Sequence, residues 1–161
     1  MELCYREPGE QDLEQITQIW NEVLEAGDAF PGEVPLSARE MRELLAQQTK
    51  TVCAYRDGQV AGLFVLHPNN IGRCSHVANA SYAVDSRQKG LGIGKRLVEL
   101  SLEAARDCGF RGIQFNAVVA GNAVALAIYN HLGFSRVGTI PGGFRLKDGR
   151  YSDMHILYRA L

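Results

Sequence analysis

The spacing of apolar positions along the chain predicts four helices. Residues 10–26 carry apolar side chains at the three- and four-residue intervals of a helix with one buried face. Ser37 and Glu40 have the identity and spacing of a capping box, so a second helix of about ten residues is predicted to begin there. The same apolar period predicts two further helices, at residues 93–108 and 122–132.

Shorter apolar runs between these helices predict the strands. The runs 51–56 and 59–67 flank Asp57-Gly58, and Asp-Gly between two apolar runs is a strong signal for a β-hairpin. Further strands are predicted at residues 2–7, 77–84, 113–119, 134–137 and 154–159, with a glycine-rich excursion at residues 138–150. This order of elements predicts an α/β (α+β) fold in which helices cover a mixed sheet.

Length and composition favour one domain that works without nucleic acid or membrane. The 161 residues are enough for one hydrophobic core, so residues 1–161 form one predicted domain. Lys and Arg number 17 against 18 Asp and Glu, and the basic excess typical of nucleic-acid binders is missing. The absence of a bilayer-spanning apolar run and of a secretory signal indicates a cytoplasmic protein. The four cysteines include no C-x-x-C pair, so no metal site is predicted.

A glycine-rich turn between the strand at 77–84 and the helix at 93–108 carries the main chemical signal. Glycines let a backbone approach a ligand closely, and a helix N-terminus offers unpaired N–H groups and a positive dipole end. Together with the local cations, this pattern predicts a phosphate or pyrophosphate cradle, the alternative being a solvated turn whose glycines serve geometry alone. The turn consists of Arg87, Gln88, Lys89, Gly90, Leu91, Gly92, Ile93, Gly94 and Lys95.

Two common phosphate-binding motifs do not fit this turn. The nucleotide P-loop requires four residues between its two glycines, whereas only three separate Gly90 from Gly94. The dinucleotide fingerprint requires a third glycine where this chain has Lys95. Arg87-x-x-Gly90-x-Gly92 instead matches the pattern [RQ]-x-x-G-x-[GA], which binds the pyrophosphate of acyl-CoA.

That last motif belongs to the GNAT N-acetyltransferases, which the chain resembles along essentially its whole length. Asn122, Ala125, Tyr129 and the segment 132–134 match the family's block N-x-x-A-x-x-x-Y-x-x-x-G-F. Within the family, the chain is most similar to the small-molecule branch of the yeast azetidine-2-carboxylate (imino acid) acetyltransferases. The residues that carry this finer resemblance are Gly27 to Pro31, Phe115-Asn116, Asn122, Gly138 to Arg145, and Asp153. The phosphinothricin acetyltransferases are a looser match.

The resemblance implies a mixed, mostly antiparallel sheet with a splay between two central parallel strands. Those strands are here residues 77–84 and 113–119. Acetyl-CoA is the implied acetyl donor, and its pantetheine arm lies in the splay, paired with backbone groups near Tyr82 and Val84. The sequence shows no cysteine near a recognisable base, so direct transfer without an acyl-enzyme is expected.

The last helix carries the residues that the resemblance assigns to the pantetheine arm and to proton transfer. Asn122 and Tyr129 lie two helical turns apart and share one face, with the small Ala125 between them. The resemblance implies that Asn122 and Ala125 hold the arm and that Tyr129 protonates the CoA thiolate. The alternative for Tyr129 is a half-buried tyrosine that serves packing alone.

Two asparagines interrupt predicted apolar strands and are candidates for substrate binding. An unpaired buried amide costs a few kcal/mol, so Asn79 and Asn116 are expected to be satisfied either internally or by a substrate. In the imino-acid branch such asparagines contact the substrate. Phe30 and Arg145, from the segments 28–35 and 138–150, complete the predicted site for a small amine such as an amino or imino acid.

The sequence does not assign the general base that would deprotonate the acceptor amine. The strand at 77–84 contains no carboxylate, although many relatives carry a glutamate there. His76 has a suitable ordinary pKa, but a strand-end histidine without a catalytic role is the alternative. Asp85 is interpreted as a turn residue. The default expectation is therefore a water chain, or uptake of an amine that is already partly neutral.

Two other functions and one assembly are also considered. The same fold could acetylate a protein or peptide amine, or it could serve as a non-catalytic acyl-CoA sensor, which the presence of Tyr129 disfavours. A homodimer is expected, because small-molecule members of the family are often dimers. The strand from Tyr151 to Tyr158 is predicted to end the sheet as an exposed edge that needs covering.

Overall fold

A computed structural model describes residues 2–161, which form one seven-stranded sheet flanked by four α-helices. The strands are β1 (Leu3–Arg6), β2 (Lys50–Arg56), β3 (Gln59–Pro68), β4 (Val77–Val84), β5 (Gly112–Val119), β6 (Ser135–Arg145) and β7 (Tyr151–Ala160). The helices are α1 (Leu13–Ala26), α2 (Ala38–Ala46), α3 (Ile93–Asp107) and α4 (Ala123–His131). This order of elements confirms the α/β prediction. None of the helices in residues 2–161 has the length and hydropathy needed to cross a membrane.

The sheet has the strand order β1-β2-β3-β4-β5-β7-β6, and every neighbouring pair is antiparallel except β4 and β5. The two parallel strands pair only at Val77 with Gly112 and at Ala78 with Ile113. Beyond these two pairs they diverge, which confirms the predicted splay in the middle of a mostly antiparallel sheet. The edge of β4 that faces β5 therefore has no strand partner from residue 79 onward.

Each face of the sheet packs a different pair of helices. The helices α3 and α4 pack on the first face through a core that includes Phe64, Leu97 and Ile113. The helices α1 and α2 pack on the second face through a core that includes Ile16 and Leu63. Because side chains alternate along a strand, the residues of β4 and β5 that do not point toward α3 and α4 point to the α1 and α2 side.

The Asp57-Gly58 turn and the Ser37 capping box adopt the structures predicted for them. Asp57 and Gly58 both have positive φ, at 50° and 82°, as a two-residue type I′ hairpin turn requires. The Ser37 hydroxyl accepts from the Glu40 N–H at 3.1 Å, and the Glu40 carboxylate accepts from the Ser37 N–H at 3.0 Å. The capping box therefore starts α2 at the predicted position.

The prediction for the last two strands is wrong in two respects. The glycine-rich excursion at 138–150 is strand up to Arg145, because β6 pairs with β7 as far as Arg145 with Tyr151. Two register shifts, after Arg136 and after Ile140, absorb the glycines and the proline of this segment. On this side the sheet ends at β6, and the predicted edge, Tyr151 to Tyr158, lies inside β7 between β5 and β6.

A close contact joins the end of α1 to the turn between β6 and β7. Gly27 ends α1 with a φ of +69°, and a Cβ on it would lie 2.7 Å from the Cβ of Lys147. Only glycine combines this left-handed backbone with so close an approach. The contact holds the β6–β7 turn against the α1 side of the sheet.

Candidate functional site

The turn between β4 and α3 presents a run of free backbone N–H groups. Within residues 2–161, the N–H groups of residues 89–95 donate to no protein acceptor, and the Arg96 N–H is the first to enter the helix ladder, on the Gly92 carbonyl at 3.1 Å. No side chain caps this end of α3, and its first turn contains no acidic residue. Free donors and the positive end of the helix dipole make this turn suitable for a ligand with several anionic oxygens.

Two glycines of this turn have a backbone conformation that favours glycine. Gly90 and Gly92 have φ of +83° and +77°, a left-handed conformation that other residues rarely adopt. No atom lies within 4 Å of a Cβ placed on either of them, so the backbone there is open to a ligand. A Cβ on Gly94 would lie 3.8 Å from Ile128 of α4 and 3.9 Å from Val84. These are ordinary van der Waals distances, so Gly94 faces the packed side of the turn.

The arginine of the motif is already paired within the chain. The Arg87 guanidinium donates to both carboxylate oxygens of Asp85, at 3.1 and 2.7 Å, and the Arg87 N–H donates to the same carboxylate at 2.9 Å. The Asp85 side chain is 4% exposed and that of Arg87 is 79% exposed. The side-chain hydrogen bond from Arg87 holds the pKa of Asp85 below its usual range. Asp85 is thus the predicted turn residue, and it anchors the guanidinium beside the turn.

The other polar side chains of the turn, Gln88, Lys89 and Lys95, differ in their surroundings. The Gln88 side-chain oxygen accepts from Arg56 at 2.7 Å, which holds the side chain against β2. The side chains of Lys89 and Lys95 are exposed and form no ion pair within the described residues. These two lysines give the open side of the turn its positive charge.

An aromatic cluster lies on the α3 and α4 face beside the splay. The ring of Tyr129 is 4.6 Å from that of Phe115, 5.5 Å from that of Phe134 and 6.3 Å from that of Tyr82, measured between centroids. The Tyr82 hydroxyl is bonded to Ser101 Oγ at 2.7 Å. Burial raises the pKa of both Tyr82 and Tyr129, so both phenols stay neutral at neutral pH.

Tyr129 combines a packed ring with an unpaired hydroxyl. Its ring belongs to the core under α3 and α4, as the packing interpretation expects. Its hydroxyl makes no hydrogen bond within residues 2–161, yet it is not among the fully enclosed polar atoms without a partner. A neutral phenol whose hydroxyl is still accessible can donate a proton.

Asn122 has a local role at the start of α4. Its side-chain oxygen accepts from the Ala125 N–H at 3.3 Å, so Asn122 is the N-cap and α4 begins one residue later than predicted. Capping occupies the amide oxygen and leaves the amide nitrogen available. Ala125, half-buried in the first turn, adds no polar group to this face.

The two strand asparagines are not buried, so the premise of the sequence argument is wrong. Asn116 is exposed and Asn79 is half-buried. The reason is that the core under α1 and α2 contains no residue of β5 and only Ala83 of β4, so this part of the second face is left open. The Asn116 amide is also paired, because it accepts from Gln114 at 3.0 Å and donates to Asn69 at 2.7 Å. Both asparagines alternate with core residues of the first face and thus lie on the α1 and α2 side.

Phe30 and Arg145 meet in one cleft of about 360 Å³. The cleft lies between the loop after α1 and the turn between β6 and β7. Phe30 packs on Trp20 with ring centroids 4.6 Å apart, and Phe144 is buried beside the cleft. The Arg145 guanidinium is bound to the Glu33 carboxylate at 2.5 Å, so the arginine predicted to be free for a substrate already has a partner.

The comparisons with known proteins decide the family. A family model described as the acetyltransferase (GNAT) family matches residues 13–134, a span that contains the glycine turn, the splay and α4. This chain belongs to the GNAT acetyltransferase family. It is therefore an N-acetyltransferase, and acetyl-CoA is its acetyl donor.

Two curated proteins are similar to this acetyltransferase. N-acetyltransferase aca1 of Schizosaccharomyces pombe is 27% identical over 91% of this chain and 79% of its own length. The L-amino acid N-acetyltransferase AaaT of Escherichia coli is 31% identical over 69% of this chain and 68% of its own length.

Solved structures also share the fold. A GCN5-related N-acetyltransferase from Kribbella flavida is 33% identical with a TM-score of 0.92, over 99% of this chain and 98% of its own. A phosphinothricin acetyltransferase from Sinorhizobium meliloti, in complex with acetyl-CoA, is 25% identical with a TM-score of 0.92, over 100% of this chain and 89% of its own.

The structure of this GNAT acetyltransferase also locates the base candidate and three residues that the sequence analysis missed. His76 is exposed and precedes β4 at the end where β4 and β5 are still paired, so the geometry gives it no support as the base. Glu33, Asn69 and Gln114 are polar partners of predicted site residues. Asn69 and Glu33 lie in predicted loops, where no periodic pattern marks a partner far along the chain.

Proposed function

We propose that this acetyltransferase acetylates the amine of a small zwitterion, an amino or imino acid. The observation that carries the proposal is the uncharged amide surface at the splay, formed by Asn79 and Asn116 on the α1 and α2 side. Carboxamides bind both a carboxylate and an amine without adding charge. The amino-acid acetylation named for the Escherichia coli relative supports this substrate class.

We propose further that the glycine turn and the splay hold acetyl-CoA. The free N–H groups of residues 89–95, together with Arg87 and Gln88, would bind the pyrophosphate. The unpaired edge of β4 near Tyr82 and Val84 would pair with the pantetheine arm, with Asn122 and Ala125 on its other side. When bound, acetyl-CoA supplies the acetyl group as a thioester. The residues present fit this ligand, because the donors and the exposed strand edge are both free.

Tyr129 is proposed to hold the proton that the leaving thiolate takes up. Its phenol is neutral and its hydroxyl unpaired. The carboxylate-free strand β4 lacks a general base, so the amine would lose its proton to water or arrive neutral. Direct transfer between donor and acceptor is proposed, because burial raises the pKa of Cys53 to about 12 and the exposed Cys4, Cys74 and Cys108 lie outside the glycine turn, β4 and β5.

Gly92→Val tests the pyrophosphate assignment. The valine side chain would stand over the free N–H groups, so the Kd for acetyl-CoA in calorimetry is expected to rise about tenfold or more. Gly109→Val is the matched control, because Gly109 also has a positive φ, +85°, and open space around its Cβ, but follows the far end of α3. Equal acetyl-CoA affinity in the two variants would contradict the assignment.

Tyr129→Phe tests the proton donor. The variant keeps the ring in the aromatic cluster and removes only the hydroxyl, so kcat is expected to fall about 10²-fold or more, with little change in acetyl-CoA affinity. Tyr55→Phe is the control, because it removes a buried hydroxyl that is bonded to Asp12, within the core under α1 and α2. A Tyr129→Phe enzyme that turns over at the parental rate would remove Tyr129 from the mechanism.

Glu33→Gln tests Arg145 and the substrate class together. A substrate carboxylate must compete with Glu33 for the guanidinium, and an exposed ion pair contributes up to about 1 kcal/mol. The KM for amino acids is therefore expected to fall about two- to fivefold in this variant, and the KM for the corresponding amino amides to stay the same. Glu43→Gln breaks a similarly exposed pair with Arg39 on α2 and serves as control.

Turnover assays with free amino acids, peptides and polyamines distinguish the competing substrate classes. Turnover of peptides or polyamines with none of any free amino acid would overturn the proposed class and favour a protein or peptide acceptor. Binding of acetyl-CoA without turnover of any amine would favour a sensor.

We propose that residues 1–161 act as one domain and that two copies form a homodimer through β6. This edge strand is unpaired on its outer side within the described residues and exposes Val137 (67%) and Ile140 (45%), with Tyr151 (70%) beside it. An exposed apolar edge is expected to be covered. Light scattering should give twice the mass of one chain, and V137K is expected to shift it toward the monomer. A wild-type monomer at working concentration would contradict the dimer.

A further inference from the structure

Three carboxamides form a continuous chain of hydrogen bonds on the α1 and α2 side of the splay. Gln114 Nε2 donates to Asn116 Oδ1 at 3.0 Å, and Asn116 Nδ2 donates to Asn69 Oδ1 at 2.7 Å. Gln114 and Asn116 lie on β5, whereas Asn69 follows β3 and its N–H is bound to the carbonyl of Val77 in β4. The chain therefore connects three neighbouring segments of the sheet at the point where β4 and β5 begin to separate.

The chain has a direction, because a carboxamide donates only from its nitrogen and accepts only at its oxygen. Asn116 accepts a hydrogen bond on one side and donates one on the other, so its amide cannot turn over alone without losing both bonds. One N–H of its nitrogen and one lone pair of its oxygen then stay free, each at a defined position. The exposed side chain has these two groups available for a ligand.

We propose that Gln114 and Asn69 are positioning residues that set the orientation of the Asn116 amide, and thereby decide which end of a zwitterionic acceptor it binds. The free N–H suits the carboxylate, and the free lone pair suits the amine. Reversal of the amide would place a lone pair against the carboxylate. This inference rests on the proposed amino- or imino-acid acceptor and adds two residues that determine how that acceptor is held.

Two substitutions in this chain of hydrogen bonds add the same charge, but only one of them should reverse the orientation of the Asn116 amide. Asn69→Asp leaves an acceptor where an acceptor is already used, so Asn116 keeps its orientation. Gln114→Glu replaces the donor with an acceptor, so Asn116 must turn its nitrogen toward residue 114. Its oxygen then faces Asn69, whose own nitrogen can donate. Both variants add one negative charge to the same chain, and both can keep two hydrogen bonds.

Steady-state kinetics with free amino acids should separate the two variants. A hydrogen bond to a charged group is worth enough that the KM of Gln114→Glu is expected to exceed that of Asn69→Asp by about tenfold. The two variants should share similar kcat values, acetyl-CoA Kd values and melting temperatures, because the reaction centre and the number of hydrogen bonds are the same. With an amino amide as substrate, the KM difference should shrink.

Equal KM values in the two variants would overturn the inference, since added charge alone would then explain both. Where Gln114→Glu fails to fold, Gln114→Met removes the donor without adding charge. Its amino-acid KM is expected to rise several-fold at unchanged acetyl-CoA affinity, and a wild-type KM would overturn the inference. A wild-type enzyme that turns over no amino acid overturns the proposed substrate class and this inference with it, whereas an active wild type with indistinguishable variants overturns the inference alone.

Discussion

The separation of β4 and β5 after two residue pairs is the constraint on which the rest of the structure depends. A parallel pair in the middle of a sheet would normally continue, because each unpaired N–H or C=O group away from water costs free energy. Here β4 keeps β3 on one edge over its whole length and loses β5 on the other. The helices α3 and α4 pack on one face of the divergence, and the amide surface lies on the other. A ligand arm that supplies backbone-like hydrogen bonds would therefore complete the sheet along β4.

The two arginines that are proposed to bind anions already have carboxylate partners within the chain. Arg87 is held by the buried Asp85, and Arg145 by the exposed Glu33. The two pairs differ in consequence, because a buried carboxylate anchors its arginine permanently while an exposed one can be displaced by a competing anion. The first arrangement suits a cofactor site that must keep its shape. The second suits a substrate site whose partner changes with each turnover.

The parts of the fold that the sequence predicts are those with local causes. The Ser37 capping box, the Asp57-Gly58 turn and the glycine turn before α3 each depend on residues that are adjacent or one turn apart. The position of β7 between β5 and β6 depends instead on pairing across distant segments, which no local pattern specifies. The same holds for the site. The glycine turn is predicted from local spacing and Tyr129 from the family resemblance, whereas the Arg145 partner Glu33 lies 112 residues away.

Asn116 is exposed although it interrupts an apolar run, which shows why such a run is an incomplete guide to a strand's surroundings. Its neighbours on β5, Phe115 and Val118, are core residues, so the pattern predicts a buried amide. Asn116 points to the opposite face from Phe115, and the core under α1 and α2 on that face contains no residue of β5, so the asparagine is exposed.

An exposed amide has no folding reason to be immobile, because water can satisfy it in any orientation. Asn116 is nevertheless bound on both sides by other carboxamides, one of them 47 residues away. Holding these side chains in one arrangement costs rotamer entropy, and exposed neutral hydrogen bonds return little stability. Such an arrangement is expected where orientation itself serves the reaction. At this position the group oriented is an uncharged donor and acceptor, near a strand, β4, that contains no carboxylate. The proposed role of Asn116 is thus to direct the acceptor by hydrogen-bond geometry, in addition to the charge that Arg145 would supply.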